Sequence, residues 1–346
     1  MKKTVLFTYI ILFSLIFLVI ESCKKDNSDQ LEDDEYMNLP AEMMTLSAIA
    51  YVSDKYPDLI KDSIMHFLGD SSLATGGKWQ LSWGPGISDQ NKNLVYVVKN
   101  SSGDVPVYAI AIRGTNVHSI GDILEDFDVL KLTEFTYGEP GDSVCHGSMA
   151  GLTYILNSTD SLGGTTLEQH LVSITTNTKT QLFVTGHSQG GGLAPLLAYW
   201  LITHDQLKEK FTTSTYAFAG PGWVNKSFRD NFLNSLPEDA SFNMMVNSLD
   251  MIPYGYANLP GIINNSIPVK VSSLYRLIIR TAQDSLDSRG ITYYNIAIAD
   301  TIGNIPVTTN PSGTHLLDSI NWYDHWLKVE HNHNNYLKLL GAEPLN

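Results

Sequence analysis

The chain has 346 residues, 43% hydrophobic and 17% charged, which supports a sizeable buried core and excludes a disordered chain. Its 22 lysines and arginines face 36 aspartates and glutamates, a formal charge of −14. No basic patch for nucleic acid is expected.

Residues 1–23, MKKTVLFTYIILFSLIFLVIESC, set Lys2 and Lys3 before an apolar run from Val5 to Ile20, the layout of a secretory signal. The run is near the minimum for a membrane span, so an uncleaved anchor is the alternative. Ile20–Cys23, IESC, resembles a bacterial lipobox, although Glu21 departs from the small or apolar residue usual there. That resemblance implies removal of residues 1–22, lipidation of Cys23 and attachment to a bacterial envelope membrane, with the outer membrane expected. The loss of Lys2, Lys3 and Glu21 shifts the formal charge to −15. Cys145 is then the sole free thiol, so neither an intramolecular disulfide nor a cysteine zinc site is expected. Residues 23–37 are polar and acidic, as a solvated tether or an ordinary linker would be. Residues 38–346 form the expected single domain.

Leu39–Leu68 carries apolar residues at helical spacing with a break at Pro57, predicting two helices packed across a sheet. WQLSWG, NLVYVVKN and VPVYAIAIRG are strand-like and separated by turn-rich GPGISDQNK and NSSGD, predicting an antiparallel start. Helices are expected near 119–130 and 149–157, followed by the strand QLFVTG and the helix GGLAPLLAYWLITH. The strand STYAFAG, a helix near 227–236 and the strand FNMMVNS come next. This alternation predicts an α/β fold with a mostly parallel central sheet. Residues 258–321 read as an insertion in the same domain, with a helix at SLYRLIIRTAQDSL and a strand at TYYNIAIAD.

Gly186–Gly190, GHSQG, has the G-x-S-x-G form of a nucleophile elbow, flanked by a strand before and a helix after. Glycines are required where a Cβ would clash, and the helix amides stabilise developing negative charge. The alternative is a glycine-rich helix cap without chemistry. VTGHSQGGGLA resembles the elbow of the class 3 (fungal-type) lipases, with Gln189 where that family has leucine. The resemblance covers roughly residues 93–341 and implies an α/β-hydrolase fold with helices on both faces of the sheet. IRGT at 112–115 is similar to the family's F-R-G-[ST], which implies an oxyanion site formed by Thr115 and the Gln189 N–H. GDILEDFDV resembles its D-W-x-x-D segment, CHGSMAGL its H-x-G-F segment and YAFAGPGWVNKSF its F-G-x-P-R-V-G-N segment. In the last, Gly222 and Trp223 replace arginine and valine. Residues 116–124 would form a short apolar lid or a buried structural helix.

NMMVNSLDMIPYG places Asp250 past an apolar strand and resembles the family's N-x-x-D-x-[IV]-P, marking Asp250 as the acid in the order Ser, Asp, His. His315, His325, His331 and His333 follow it. HNNYLKLLG resembles the family's H-x-x-Y before a closing helix, so His333 is the expected base, with His331 and His315 as alternatives. His331 and His333 lie two apart and share no helix face, so they do not suggest a metal site. The expected chemistry is therefore carboxylic ester hydrolysis by Ser188, His333 and Asp250, without cofactor or metal, on an ester or lipid substrate. Phospholipid or polysaccharide acyl esters are alternative substrates, and a non-catalytic surface-binding lipoprotein is the alternative class. Acyl length and oligomeric state are left open.

Overall fold

Turn-rich separators keep Trp79–Ile87 (β1), Leu94–Asn100 (β2) and Val107–Ile112 (β3) close in sequence, and they pair antiparallel as neighbours. The computed structural model describes residues 39–52, 59–87, 93–114, 128–160, 164–175, 178–263, 273–297, 299–303 and 329–345. The expected signal segment, Cys23, the tether 23–37, Pro57, Thr115, the lid segment 116–124, His315 and His325 lie outside the described residues. From Ala41 onward the chain forms one compact unit.

Leu132–Glu134 (β4) and Ser143–Cys145 (β5) make a separate antiparallel ribbon. The main sheet continues in parallel from β3 through Thr180–His187 (β6), Phe211–Phe218 (β7), Phe242–Asn247 (β8) and Asp300–Ile302 (β9). Its order is β1-β2-β3-β6-β7-β8-β9. Every residue of β7 is buried, as expected of a central strand covered on both faces.

Helices occupy 39–49 (α1), Ile60–Leu68 (α2), His146–Asn157 (α3), Leu167–Ser173 (α4), Gln189–Thr203 (α5) and Lys226–Ser235 (α6). They are followed by Leu259–Ile263 (α7), Ser273–Asp287 (α8) and His333–Leu339 (α9). In α5, residues Gly190–Leu201 are all buried, because the helix is packed against β6 and β7 and also touches α3 and α6. Its entry is pressed close by three glycines. A Cβ on Gly191 would lie 2.4 Å from the Phe218 carbonyl oxygen, and one on Gly192 would lie 2.3 Å from the Trp223 ring. Trp223, which replaces a valine of the family pattern, donates its indole N–H to the Gly192 carbonyl at 3.0 Å. That segment is a packing device for the helix behind the serine.

Several elements depart from the sequence expectation. Helix α3 begins three residues earlier than expected, with the Cys145 sulfur accepting from the Ser148 N–H. Helix α4 was not expected, although Thr166 and Gln169 form a reciprocal capping box that signals its start. TYYNIAIAD is not a strand along its length: only Asp300–Ile302 joins the sheet, and Tyr294 makes a single bridge to Val224. Ile291, Tyr293 and Ile296 nevertheless join the hydrophobic core.

Candidate active site

Ser188 lies between β6 and α5 with φ 61° and ψ −126°, a conformation costly for a residue that carries a Cβ. The surrounding backbone imposes it. A Cβ on Gly186 would lie 2.3 Å from the Gly190 carbonyl, and one on Gly190 would lie 2.2 Å from the Ile112 carbonyl oxygen. The turn closes this tightly only with glycine at both positions. The Ser188 N–H donates to the Phe218 carbonyl at 2.9 Å, and the Ser188 carbonyl accepts from the Gly192 N–H at 3.0 Å. The serine oxygen is thereby projected from a rigid turn at the first residues of α5.

Asp250 follows β8. The Asp250 N–H donates to the Asn247 carbonyl at 3.0 Å, closing the turn that presents its side chain. Asp250 is fully buried, and its Oδ1 accepts the Ile252 N–H at 2.9 Å. Its Oδ2 lies 2.7 Å from His331 Nδ1 and accepts the Tyr336 hydroxyl at 2.7 Å. Three donors replace the water lost on burial, as a buried carboxylate requires.

His331, and not His333, stands between acid and serine. His331 Nε2 is 2.8 Å from Ser188 Oγ. In the tautomer whose Nδ1–H donates to the Asp250 carboxylate, Nε2 presents its lone pair to the serine hydroxyl. The expectation of His333 is corrected by helix geometry. Asn332 caps α9, its side chain accepting from the Asn334 N–H, which makes His333 the first helical residue. His331 precedes the cap on an irregular turn, and that turn reaches the serine. The His333 ring instead stacks on Tyr51 at 4.6 Å, and burial together with His331 pushes its pKa down to about 4.

Further residues complete the surroundings. The Tyr336 hydroxyl, which donates to Asp250, also accepts the Asn247 N–H at 2.9 Å, and burial holds its pKa well above the tyrosine range. Asn247 Nδ2 lies 2.9 Å from both the Glu330 carbonyl and Glu330 Oε2, tying the acid's strand to the segment that carries His331. The Tyr51 hydroxyl is 2.9 Å from His187 Nδ1, and the His187 ring lies 4.9 Å from the His331 ring. Burial, followed by the two neighbouring histidines, keeps the His187 pKa well below its usual value. A Cβ on Gly114 would meet the Tyr51 hydroxyl at 2.2 Å and Ser188 Cβ at 2.8 Å, so the segment that follows β3 is pressed against Ser188. Gln189, beside Ser188, is the first residue of α5 and partly exposed. Among the described residues no cluster of three or more histidine, cysteine or acidic side chains is arranged to hold a metal ion.

Residues 109–258 match the family model for lipase (class 3). Comparison with curated proteins gave no match. Among solved structures, the M37 lipase is similar at 25% identity, covering 88% of this chain and 92% of that chain with a TM-score of 0.69. A lipase from Rhizopus microsporus var. chinensis matches at 16% identity over 64% of this chain and 69% of that one, TM-score 0.47. Lipase II from Rhizopus niveus matches at 18% identity over 64% and 75%, TM-score 0.47. The segment 109–258, which matches that family model, holds Ser188 and Asp250, and the chain carries it on an α/β-hydrolase fold.

Proposed function

We propose that this protein is a serine hydrolase of carboxylic esters, acting on lipid-type acyl esters through Ser188, His331 and Asp250. The observation that carries this reading is the unbroken hydrogen-bonded line from Ser188 Oγ through His331 to Asp250 Oδ2. In the proposed cycle Ser188 Oγ attacks the ester carbonyl while His331 Nε2 takes its proton. The same proton passes from His331 to the leaving alcohol as the acyl–serine bond is completed. Water, deprotonated by His331, then releases the acid and regenerates the serine. Asp250 stabilises the transient imidazolium without accepting its proton. The backbone N–H of Gln189 and the main chain and hydroxyl of Thr115 are the proposed oxyanion donors, and loss of one such donor costs about 3 kcal/mol of transition-state stabilisation.

The test is hydrolysis of p-nitrophenyl acyl esters of short and long chain by residues 23–346, with a fluorophosphonate probe read by peptide mapping. Hydrolysis lost in Ser188→Ala together with labelling at Ser188 is the expected result. Full activity in Ser188→Ala overturns the mechanism. Lipidation of Cys23 and an address in a bacterial envelope membrane belong to the same proposal. The motif IESC supports them, and release of a Cys23→Ala form from the membrane fraction is their test.

A further inference from the structure

Three of the five arginines in a chain of net charge −14, Arg276, Arg280 and Arg289, fall on α8 or the turn that ends it. Such a helix would be unremarkable if its apolar residues were all inward, and Tyr275, Ile279, Ala282 and Leu286 do pack inward. Leu277 does not. At 62% exposure it is the most exposed large hydrophobic among the described residues, and its neighbour Ile278 is 37% exposed. At 100° per residue, Leu277 and Arg280 share the outward face, with Ile278 and Arg276 along its two borders. The first two turns of α8 therefore present an apolar centre with the exposed Arg280 beside it and the half-buried Arg276 at its border. Asp284 and Asp287 follow only in the last turn.

We propose that the first two turns of α8 dock the protein on an anionic lipid surface. Exposed leucine and isoleucine beside arginines are what an interfacial helix needs: the apolar side chains enter the acyl boundary while the guanidinium groups stay among the phosphates. Charge complementarity selects this occupant, because an acidic chain that sets Arg276 and Arg280 beside the most exposed leucine among the described residues is matched there to negative headgroups. The helix is also coupled to the candidate active site. The Asp250 loop leads through Ile252–Tyr254 into α7, α8 packs against α7, and Arg276 Nη1 donates to the Ile263 carbonyl at 3.2 Å. Docking would thus seat the Asp250 side of the fold near lipid. Only that purpose rests on the ester-hydrolase reading; the binding itself is measured without turnover.

The experiment is co-sedimentation of residues 23–346, with Cys23→Ala to remove any anchor, on vesicles of phosphatidylcholine alone or mixed with phosphatidylglycerol. Binding to the anionic vesicles, weakened by salt, is expected. Arg280→Gln should weaken it roughly fivefold and Leu277→Asp more than tenfold, while Leu59→Asp, another exposed leucine, leaves it unchanged. Hydrolysis of soluble p-nitrophenyl acetate should be equal in all these forms, which separates lost docking from lost folding or catalysis. Equal binding to neutral vesicles, or equal binding by Leu277→Asp, overturns the proposal. So does a dimer in solution that Leu277→Asp dissociates, since a second copy would then cover this face. Retained hydrolysis in Ser188→Ala would instead strike the catalytic reading and leave the docking result standing.

Discussion

Tyr336 places its hydroxyl 2.7 Å from Asp250 Oδ2, the oxygen that also receives His331 Nδ1. The same hydroxyl accepts the Asn247 N–H, so one phenol links the end of β8, the acid and the closing helix. Removing it leaves a buried amide without its acceptor and frees Asp250 to rotate. Tyr336→Phe should therefore lower stability by about 1–3 kcal/mol in urea unfolding. It should also lower kcat roughly tenfold while KM stays nearly constant. Unchanged kcat would show that the other two donors alone hold the carboxylate.

The two neighbouring histidines give a sharper test. His331→Ala removes the group 2.8 Å from Ser188 Oγ and should cost on the order of 10⁴-fold or more in kcat. His333→Ala removes a ring that stacks on Tyr51 and should cost less than about tenfold, because His331 is the histidine hydrogen-bonded to Ser188 and Asp250. The reverse order in ester hydrolysis would return the base to His333.

How this pair was misread shows where sequence reasoning stops. Ser188 and Asp250 were legible because each stands at the end of an apolar strand in a short local pattern, and the sheet places both. The antiparallel start was legible for the same reason, with two short turns joining three apolar runs. The histidine hydrogen-bonded to Ser188 is different. Tyr336, Leu337 and Leu340 mark a helix behind His333, but they do not say whether the first helical residue or the loop before it faces the serine. Asn332 decides that by capping α9, and the pattern H-x-x-Y does not say that the hydroxyl of Tyr336 reaches Asp250. The ribbon of β4 and β5 is too short, at three residues a strand, to leave any periodicity.

Ser188 carries strain that its chemistry does not repay with stability. At φ 61° and ψ −126° a Cβ costs of order 1–3 kcal/mol, whereas glycine's greater freedom in the unfolded chain costs about 0.5–1 kcal/mol. Native strain is the larger effect. Ser188→Gly should therefore be more stable than Ser188→Ala by about 1 kcal/mol, with both inactive, since both lose the bond to His331. Denaturant midpoints and slopes measure the comparison. A less stable glycine form would mean that the elbow is relaxed as it stands.

At Gly192, helix propensity and packing oppose one another. Alanine in a helix interior is favoured over glycine by about 1 kcal/mol. Here the added methyl would sit 2.3 Å from the Trp223 ring, which is itself pinned to the Gly192 carbonyl, and overpacking of this kind costs about 1–3 kcal/mol. Gly192→Ala should thus destabilise by up to about 2 kcal/mol. Combined with Trp223→Leu, which opens space, its added cost should vanish or change sign. Additive losses in that double-mutant cycle would exclude the ring as the cause.

His187 and His333 are both held neutral by burial, His333 with a pKa of about 4. An unfolded histidine titrates near 6.5, so between pH 6.5 and 4 the unfolded chain binds more protons than the folded one. Stability from these rings is accordingly complete above pH 6.5 and declines as pH falls towards 4. From the shift at His333 alone, the loss between pH 7 and 5 is about 2 kcal/mol at most, since the ring is partly exposed. Urea unfolding at the two pH values should show at least part of that loss in the native protein. His333→Phe, which keeps an aromatic ring against Tyr51 but has no titrating nitrogen, should lose less by a similar amount. Identical pH dependence in the two forms would mean that His333 is protonated in the folded protein with little penalty, and that acid sensitivity arises at His187 or elsewhere.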